Sequence, residues 1–337
     1  MIVLVDDIDK MMMKLILLQF ICILLLEQCY SYKRSLYMSI IHRTSTEDRV
    51  RDLRTMLSSN TITLMPCCYD GLTARLVEQA GFDLTFMTGF GVAASYGLPD
   101  TGLLTASEMW ERGSVINNVL ERIPCIGDGD TGYGNPMNIK RTVKKYSEMG
   151  FAGIMIEDQV SPKRCGHTIG KDIVPKNEAY NRIRAAVEAR EELKTIGKDI
   201  VILARTDARA LKGLDEAIER CQMFRKLGAD WTFLEAPQSV DEMKRYCSEV
   251  DGPKLANMLE FGKTPILPPS ELQKIGYTVA AYPLTLLSAA TKAMEQVLVN
   301  IKEGKSTENM ILPFDKFLNK IGFDEYNMQL DNYPNPN

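Results

Sequence analysis

The chain is poor in histidine and has no paired-cysteine motif. Two of its 337 residues are histidine, and none of the eight cysteines (Cys22, Cys29, Cys67, Cys68, Cys125, Cys165, Cys221 and Cys247) forms a C-x-x-C pair. Zinc sites draw on clustered thiolates and imidazoles, so this usage argues against one. A chain of this length can bury a core without a disulfide framework, and the thiols read as free, in a reducing compartment. An excess of charge of one sign is also missing. The 40 basic and 44 acidic residues leave a net charge of −4, which gives no electrostatic reason to expect nucleic-acid binding. No apolar run reaches the ~20 residues of a comfortable membrane span. Residues 47–315 hold no linker, repeat or low-complexity tract, and a composition 45% hydrophobic and 25% charged suits one globular domain.

The ends stand apart. Leu15 to Leu26 is a twelve-residue apolar run broken only by Gln19, similar to a signal-peptide h-region, with Cys29 to Ser31 as a cleavage zone. Gln28 to Thr46 then carries Lys33, Arg34, Arg43, several serines and no acid, as a transit segment does. Residues 1–46 are therefore expected to be a targeting or disordered leader, pointing to a plastid or mitochondrion, with the cytoplasm as the alternative. The acidic start, Asp6-Asp7-Ile8-Asp9, fits no targeting signal and leaves open a true start at one of Met11 to Met13. Residues 316–337 read as a tail, and its polar, proline-bearing end, Asp331 to Asn337, as disordered.

Between the ends, short apolar runs alternate with amphipathic segments. Strands are expected at Ile62–Met65, Leu84–Thr88, Cys125–Asp128, Gly153–Glu157, Ile200–Arg205, Trp231–Glu235, Lys254–Met258 and Thr278–Ala281. Helices are expected between them, capped by Thr73, Ser107, Asn138 and Ser239, with Gly81, Gly150, Gly197, Gly228 and Gly276 just past their ends. Eight strand–helix units over 47–315 predict a (β/α)8 TIM barrel of the α/β class, and the polar residues at strand C-terminal ends favour it over a doubly wound sheet.

Lys163-Arg164-Cys165-Gly166-His167 places a thiol beside two cations and two residues from an imidazole. Cationic neighbours favour the thiolate, so Cys165 is expected to exchange protons near neutral pH; the alternative is a solvated basic loop with an incidental cysteine. Gly127-Asp128-Gly129-Asp130-Thr131-Gly132 formally satisfies G-x-G-x-x-G. Two carboxylates in that loop would repel a pyrophosphate, and it follows the third strand. A hard-cation site is the better reading, with Asp128 and Asp130 as ligands and Glu157 joining through water. Arg205 could hold a substrate carboxylate, or pair with Glu235 or Asp207. The Thr88-Gly89-Phe90-Gly91 backbone could form an anion nest, and Asp100 could face the same pocket.

The set GLPD (97–100), GDGDTGYG (127–134), IEDQ (156–159), KRCGH (163–167) and ARTDA (204–208) resembles the isocitrate lyase/phosphoenolpyruvate mutase superfamily, from about Pro66 to about Leu298. KRCGH is similar to the lyase branch represented by 2-methylisocitrate lyase. The resemblance implies a C-terminal helix swapped between subunits, a homotetramer and Mg²⁺ (or Mn²⁺) in the site. It implies that Asp128, Asp130 and Glu157 surround the metal and that Cys165 is a general acid/base on a mobile loop oriented by Lys163 and His167. Arg205 would grip a carboxylate, Thr88 and Gly89 would donate to an α-keto acid, and Phe90, Asp100, Gly166, Glu235 and Asn257 would complete the substrate pocket. The implied activity is Mg²⁺-dependent cleavage of a small 2-hydroxy di- or tricarboxylate, 2-methylisocitrate-like, to an α-keto acid plus a dicarboxylate.

Thr88-Gly89-Phe90 and Leu234 depart from the serine–glycine–glycine and proline usual in bacterial methylisocitrate lyases. They are more similar to the branch that carries the name carboxyvinyl-carboxyphosphonate phosphorylmutase, which also holds oxaloacetate hydrolases and dimethylmalate lyases. Phosphonomutase chemistry and oxaloacetate hydrolysis are therefore the alternatives. Substrate choice is expected to rest on pocket shape around Phe90, Tyr96 and Leu234.

Overall fold

A computed structural model describes residues 43–166 and 170–333. The expected leader (apart from Arg43 to Thr46), His167 and the last four residues lie outside that range. All eight expected strands form: β1 (Thr63–Cys68), β2 (Thr85–Met87), β3 (Cys125–Asp128), β4 (Gly153–Glu157), β5 (Val201–Thr206), β6 (Trp231–Leu234), β7 (Leu255–Asn257) and β8 (Val279–Tyr282). Every pairing is parallel, in the order β6-β5-β4-β3-β2-β1-β8-β7, and an isolated parallel bridge from Thr232 to Lys254 joins the two outer strands. The sheet is thus a nearly closed (β/α)8 barrel, as the alternation of elements predicts.

The helices are α1 (Thr46–Leu57), α2 (Gly71–Gln79), α3 (Gly89–Ser95), α4 (Ala106–Val119), α5 (Pro136–Glu148), α6 (Lys176–Lys194), α7 (Arg209–Lys212), α8 (Leu214–Lys226), α9 (Val240–Glu249), α10 (Pro269–Ile275), α11 (Thr285–Lys302) and α12 (Phe314–Ile321). The chain divides into two compact units, one of them Thr44–Ile321. In the other, the described residues include a further helix, α13 (Phe323–Leu330). Among the described residues, no helix is long and apolar enough to cross a membrane.

Three helix starts lie upstream of the residues the sequence pointed to. Asp70, Thr105 and Asn135 are the N-caps, not Thr73, Ser107 and Asn138. Thr73 and Asn138 sit three positions on, each bonding back to the cap in a reciprocal pair, so both ends of a capping box look like a start. Ser239 caps α9 as expected.

α1 was not foreseen, and it sets the floor of the barrel. Its Val50, Leu53 and Leu57 join an apolar cluster with Leu84, Val201 and Trp231. Arg54 ties it to Asp199 at 2.8 Å and Asp230 at 2.7 Å, residues within two positions of the starts of β5 and β6. Above this floor, the strands alternate. Met155, Leu203, Phe233 and Leu255 pack together in the interior cluster, whereas Ile154, Ile156, Ile202 and Ala204 pack with the surrounding helices. Two residues beyond each interior position the chain has Glu157, Arg205, Glu235 and Asn257. A period of two therefore carries these polar side chains inward, one layer above the apolar fill.

Glycine in the β3 turn serves close packing. A Cβ at Gly129 would lie 2.6 Å from the Met155 carbonyl oxygen and 2.9 Å from the Ile154 side chain. Gly129→Ala is expected to lower stability by about 1–3 kcal/mol, the usual range for overpacking, read as a drop in thermal midpoint. An unchanged midpoint would show that β3 and β4 have slack at this contact.

Candidate active site

A cleft opens at the C-terminal end of the strands. Its wall includes the interior ends of β3 to β7: Asp128, Glu157, Arg205, Glu235 and Asn257. Thr88 and Phe90 after β2, Asp100, and the loop residues Lys163, Cys165 and Gly166 complete the expected set. Gly89 and Asp130 are one step behind, in an adjoining recess shared with Asp100 and Lys163. Of the fourteen expected site residues, only His167 falls outside the described range.

Asp128 is fixed by backbone donors. Its Oδ2 accepts from the Gly89 N–H at 3.1 Å and its Oδ1 from the Asp130 N–H at 3.1 Å. The Gly89 amide, expected to face a ligand, is thus engaged by a carboxylate. Thr88 caps α3, its hydroxyl accepting from the Gly91 N–H at 3.4 Å.

Lys163 is buried and bridges two acids, with Nζ 2.7 Å from both Asp100 and Asp130. Burial opposes its charge, but Asp130, Asp128 and Asp100 outweigh burial and hold its pKa well above the usual lysine value. Burial pushes the Asp130 carboxyl up to about 6, against the pull of Lys163 and helped by repulsion from Asp128 and Asp100. Lys163, expected to orient and charge the cysteine loop, pairs through its ammonium with acids of the β3 turn and of the 97–100 turn.

Arg205 is surrounded by carboxylates. Its Nε is 2.9 Å from Asp207 and 3.3 Å from Glu157, and its Nη2 is 3.0 Å from Glu235. The guanidinium carbon lies over the Phe233 ring, 5.0 Å from its centroid. Burial works against the Arg205 charge, yet Asp207, Glu235 and Glu157 hold its pKa well above the ordinary value. Burial also raises Glu157, with Arg205 opposing and Asp207 reinforcing the shift. The ion pairs weighed as an alternative for Arg205 are therefore present, and the same side chain lines the cleft.

Two acceptors in the cleft wall, Glu157 Oε1 and Asn257 Oδ1, are buried without a hydrogen-bond partner. Buried polar atoms are rarely left so, and at a cleft they mark places for a ligand, ion or water. The lining also has an apolar part, which includes Phe90, Leu259, Pro283 and Leu284. Of the three residues expected to shape the pocket, only Phe90 does so. Leu234 is 1% exposed and packs among the outer helices, because strand alternation turns Phe233 inward instead. Tyr96 stacks under Arg112 at the surface.

The neck of the cysteine loop is held by arginines that the sequence did not single out. Gln159 and Ile173 form an antiparallel bridge. Arg182 donates to the Glu157 carbonyl at 3.1 Å and the Gln159 carbonyl at 2.7 Å, and Arg220 to Asp158 and the Val174 carbonyl at 3.0 Å each. Arg220 gave one sequence signal, a cation on the buried stripe of Ala217, Cys221 and Phe224 in α8.

A family model described as phosphoenolpyruvate phosphomutase matches residues 53–302. The chain belongs to the phosphoenolpyruvate mutase/isocitrate lyase superfamily. It is 40% identical over 285 residues to a 2,3-dimethylmalate lyase of Eubacterium barkeri, covering 83% of this chain and 96% of the relative. A 2-methylisocitrate lyase of Aeropyrum pernix is 38% identical over 295 residues, covering 86% and 92%. A chloroplastic carboxyvinyl-carboxyphosphonate phosphorylmutase of Arabidopsis thaliana is 39% identical over 280 residues, covering 82% and 79%. Among solved structures, an oxaloacetate acetylhydrolase with 3,3-difluorooxalacetate superposes with a TM-score of 0.81 at 34% identity, over 86% of this chain and 97% of the other. A phosphonopyruvate hydrolase solved with oxalate and Mg²⁺ does so with 0.75 at 25% identity, over 86% and 99%. The resemblance seen in the motifs is therefore membership of an enzyme superfamily that includes lyases.

Removing Lys163 would leave Asp100 and Asp130 buried and unpaired. Lys163→Met is expected to cost about 3–5 kcal/mol, the range for breaking one side of a buried ion pair, read from urea unfolding. A loss below about 1 kcal/mol, the range of surface pairs, would mean that water reaches these acids.

Proposed function

We propose that this superfamily member is a Mg²⁺-dependent carbon–carbon lyase for a small 2-hydroxy di- or tricarboxylate, with Cys165 as general acid/base. One observation carries the reading: a single cleft joins Asp128 and Glu157, the Arg205 guanidinium and the Cys165 thiol. Among the described residues, no three His, Cys, Asp or Glu side chains form a metal cage. Mg²⁺ needs none, since it keeps several waters and takes one or two carboxylates plus substrate oxygens. The residues fit it: the donors are hard oxygens, and Glu157 Oε1 is buried without a partner. Asp128 would hold the ion, with Glu157 and Asp130 acting through water, and Mn²⁺ suits the same oxygens. When bound, the ion supplies positive charge to the carboxylate and oxygen of the α-keto acid portion.

The chain's own groups do the rest. Arg205 binds a substrate carboxylate, and the three acids around it fix its guanidinium in place, so little reorganisation accompanies reaction. Thr88 faces the keto acid portion. A base takes the 2-hydroxyl proton, the adjacent C–C bond breaks, and its electron pair passes to the carbon beside the second carboxylate as an enolate. The Cys165 Sγ–H gives its proton to that carbon, and an α-keto acid and a second carboxylate leave. Phe90, Leu259, Pro283 and Leu284 offer an apolar surface to alkyl substituents and exclude water from the enolate.

The test is α-keto acid release from racemic 2-methylisocitrate and 2,3-dimethylmalate. Release is expected to require Mg²⁺, to demand more of it in Asp128→Ala, and to fall at least ~100-fold in a folded Cys165→Ala, within the range for removing a general acid. Turnover of phosphonopyruvate with both hydroxy acids untouched would replace the reading by the phosphonomutase one. Turnover of oxaloacetate alone would replace it by the hydrolase one.

We also infer that the protein is a homotetramer with α11 exchanged between subunits. No described residue of α11 is buried, and Met294, Leu298 and Val299 are 58%, 63% and 53% exposed. An apolar helix face of this kind calls for a partner. Light scattering on the wild type is expected to give a tetramer and on Leu298→Asp a smaller species. A monomeric wild type would end this proposal.

A further inference from the structure

Cys165 is held between two residues that are not part of the KRCGH motif. On one side, the Arg164 N–H donates to Gln159 Oε1 at 2.9 Å. On the other, the Gly166 carbonyl accepts from Lys171 Nζ at 2.5 Å. The same ammonium is 2.7 Å from Asp207 Oδ1, and the two side chains are 3% and 0% exposed. Asp207 in turn accepts from Arg205 Nε at 2.9 Å and from Arg205 Nη2 at 3.3 Å. Gly166 rests directly on this group, for a Cβ there would come within 2.5 Å of Arg205 Nη2 and 2.8 Å of Glu235 Oε2.

Burying an ammonium costs several kcal/mol unless it is fully paired. Asp207 already has Arg205 as its counter-charge, so Lys171 is a second cation on one carboxylate. What Lys171 adds is the bond to the Gly166 carbonyl, which joins the backbone next to Cys165 to the group that holds Arg205. We propose that Lys171 is a positioning residue: its ammonium bridges Asp207 and the Gly166 carbonyl and so seats Cys165 at a fixed height over Arg205. The role assigned to Cys165 rests on the lyase reading above; the bridge itself does not.

Two readouts separate the two. The first needs no substrate: the rate of iodoacetamide alkylation at Cys165 in the full chain, followed by mass spectrometry of its peptide. Lys171→Met is expected to raise that rate at least ~10-fold, the factor by which losing one charge-assisted hydrogen bond raises an open population, with unchanged circular dichroism. The second is turnover of the hydroxy acid that proves active. The expected result is a kcat reduced by about 100-fold with KM changed less than threefold, as for misplacement of a reacting group by about 1 Å. Lys171→Arg, which keeps charge and donors, is expected to recover part of both. If Lys171→Met does not fold, Lys171→Gln keeps a donor without the charge and takes its place. Alkylation at the wild-type rate would overturn the proposal, as would a rise in KM alone, which would place Lys171 behind Arg205 only. Faster alkylation in a protein that cleaves none of the hydroxy acids would keep the bridge and reject the lyase reading.

Discussion

Arg205 is a largely buried cation with Asp207, Glu235 and Glu157 at 2.9, 3.0 and 3.3 Å, and the organisation of the cleft follows from that need for compensation. In a poorly solvated setting, an unpaired charge is far more costly than a paired one. The charges extend outward from there. Asp207 takes Lys171, and Asp158, which accepts from the Asp207 N–H, takes Arg220. Nearby, Lys163 serves Asp100 and Asp130. Opposite charges alternate across the strand ends, and burial is overcome by neighbours at Asp207, whose carboxyl Arg205 and Lys171 keep below its usual pKa.

Strand register places these charges. Glu157 and Arg205 are direct partners in the β4–β5 ladder, and Arg205 faces Phe233 in the next. The inward residues below them are Met155, Leu203 and Phe233, so the charged layer rests on a packed apolar one. That packing makes the guanidinium a fixed electrostatic element, oriented by its own acids. The loop bearing Cys165 is attached to the same charges: its neck by Arg182 and Arg220, its crest by Lys171. The Cys165 loop and the Arg205 guanidinium thus share one set of supports.

Much of this was legible in the chain. Eight apolar runs of strand length each became a strand, because periodicity and flanking turn residues are local properties. Asp128, Glu157, Arg205, Glu235 and Asn257 were legible as candidate site residues because each lies at or just past the C-terminal end of a strand, where a barrel gathers its chemistry. α1 was missed because its role depends on covering strand starts far away in sequence, not on a pattern of its own. The caps were misplaced where both ends of a reciprocal pair are polar.

The sequence alone determined the alternation of elements, the acids and bases at strand ends, and the superfamily that their order marks. Those are matters of residue type and spacing along one dimension. Only the tertiary structure decided how the charges are shared: that Lys163 serves Asp100 and Asp130, that the Gly89 amide belongs to Asp128, that Leu234 faces the helices, and that Lys171 reaches the carbonyl beside Cys165. A lysine can pair with any acid within its reach. Which acid that is depends on where strands and loops distant in sequence come together, and on which charges burial forbids to stand alone.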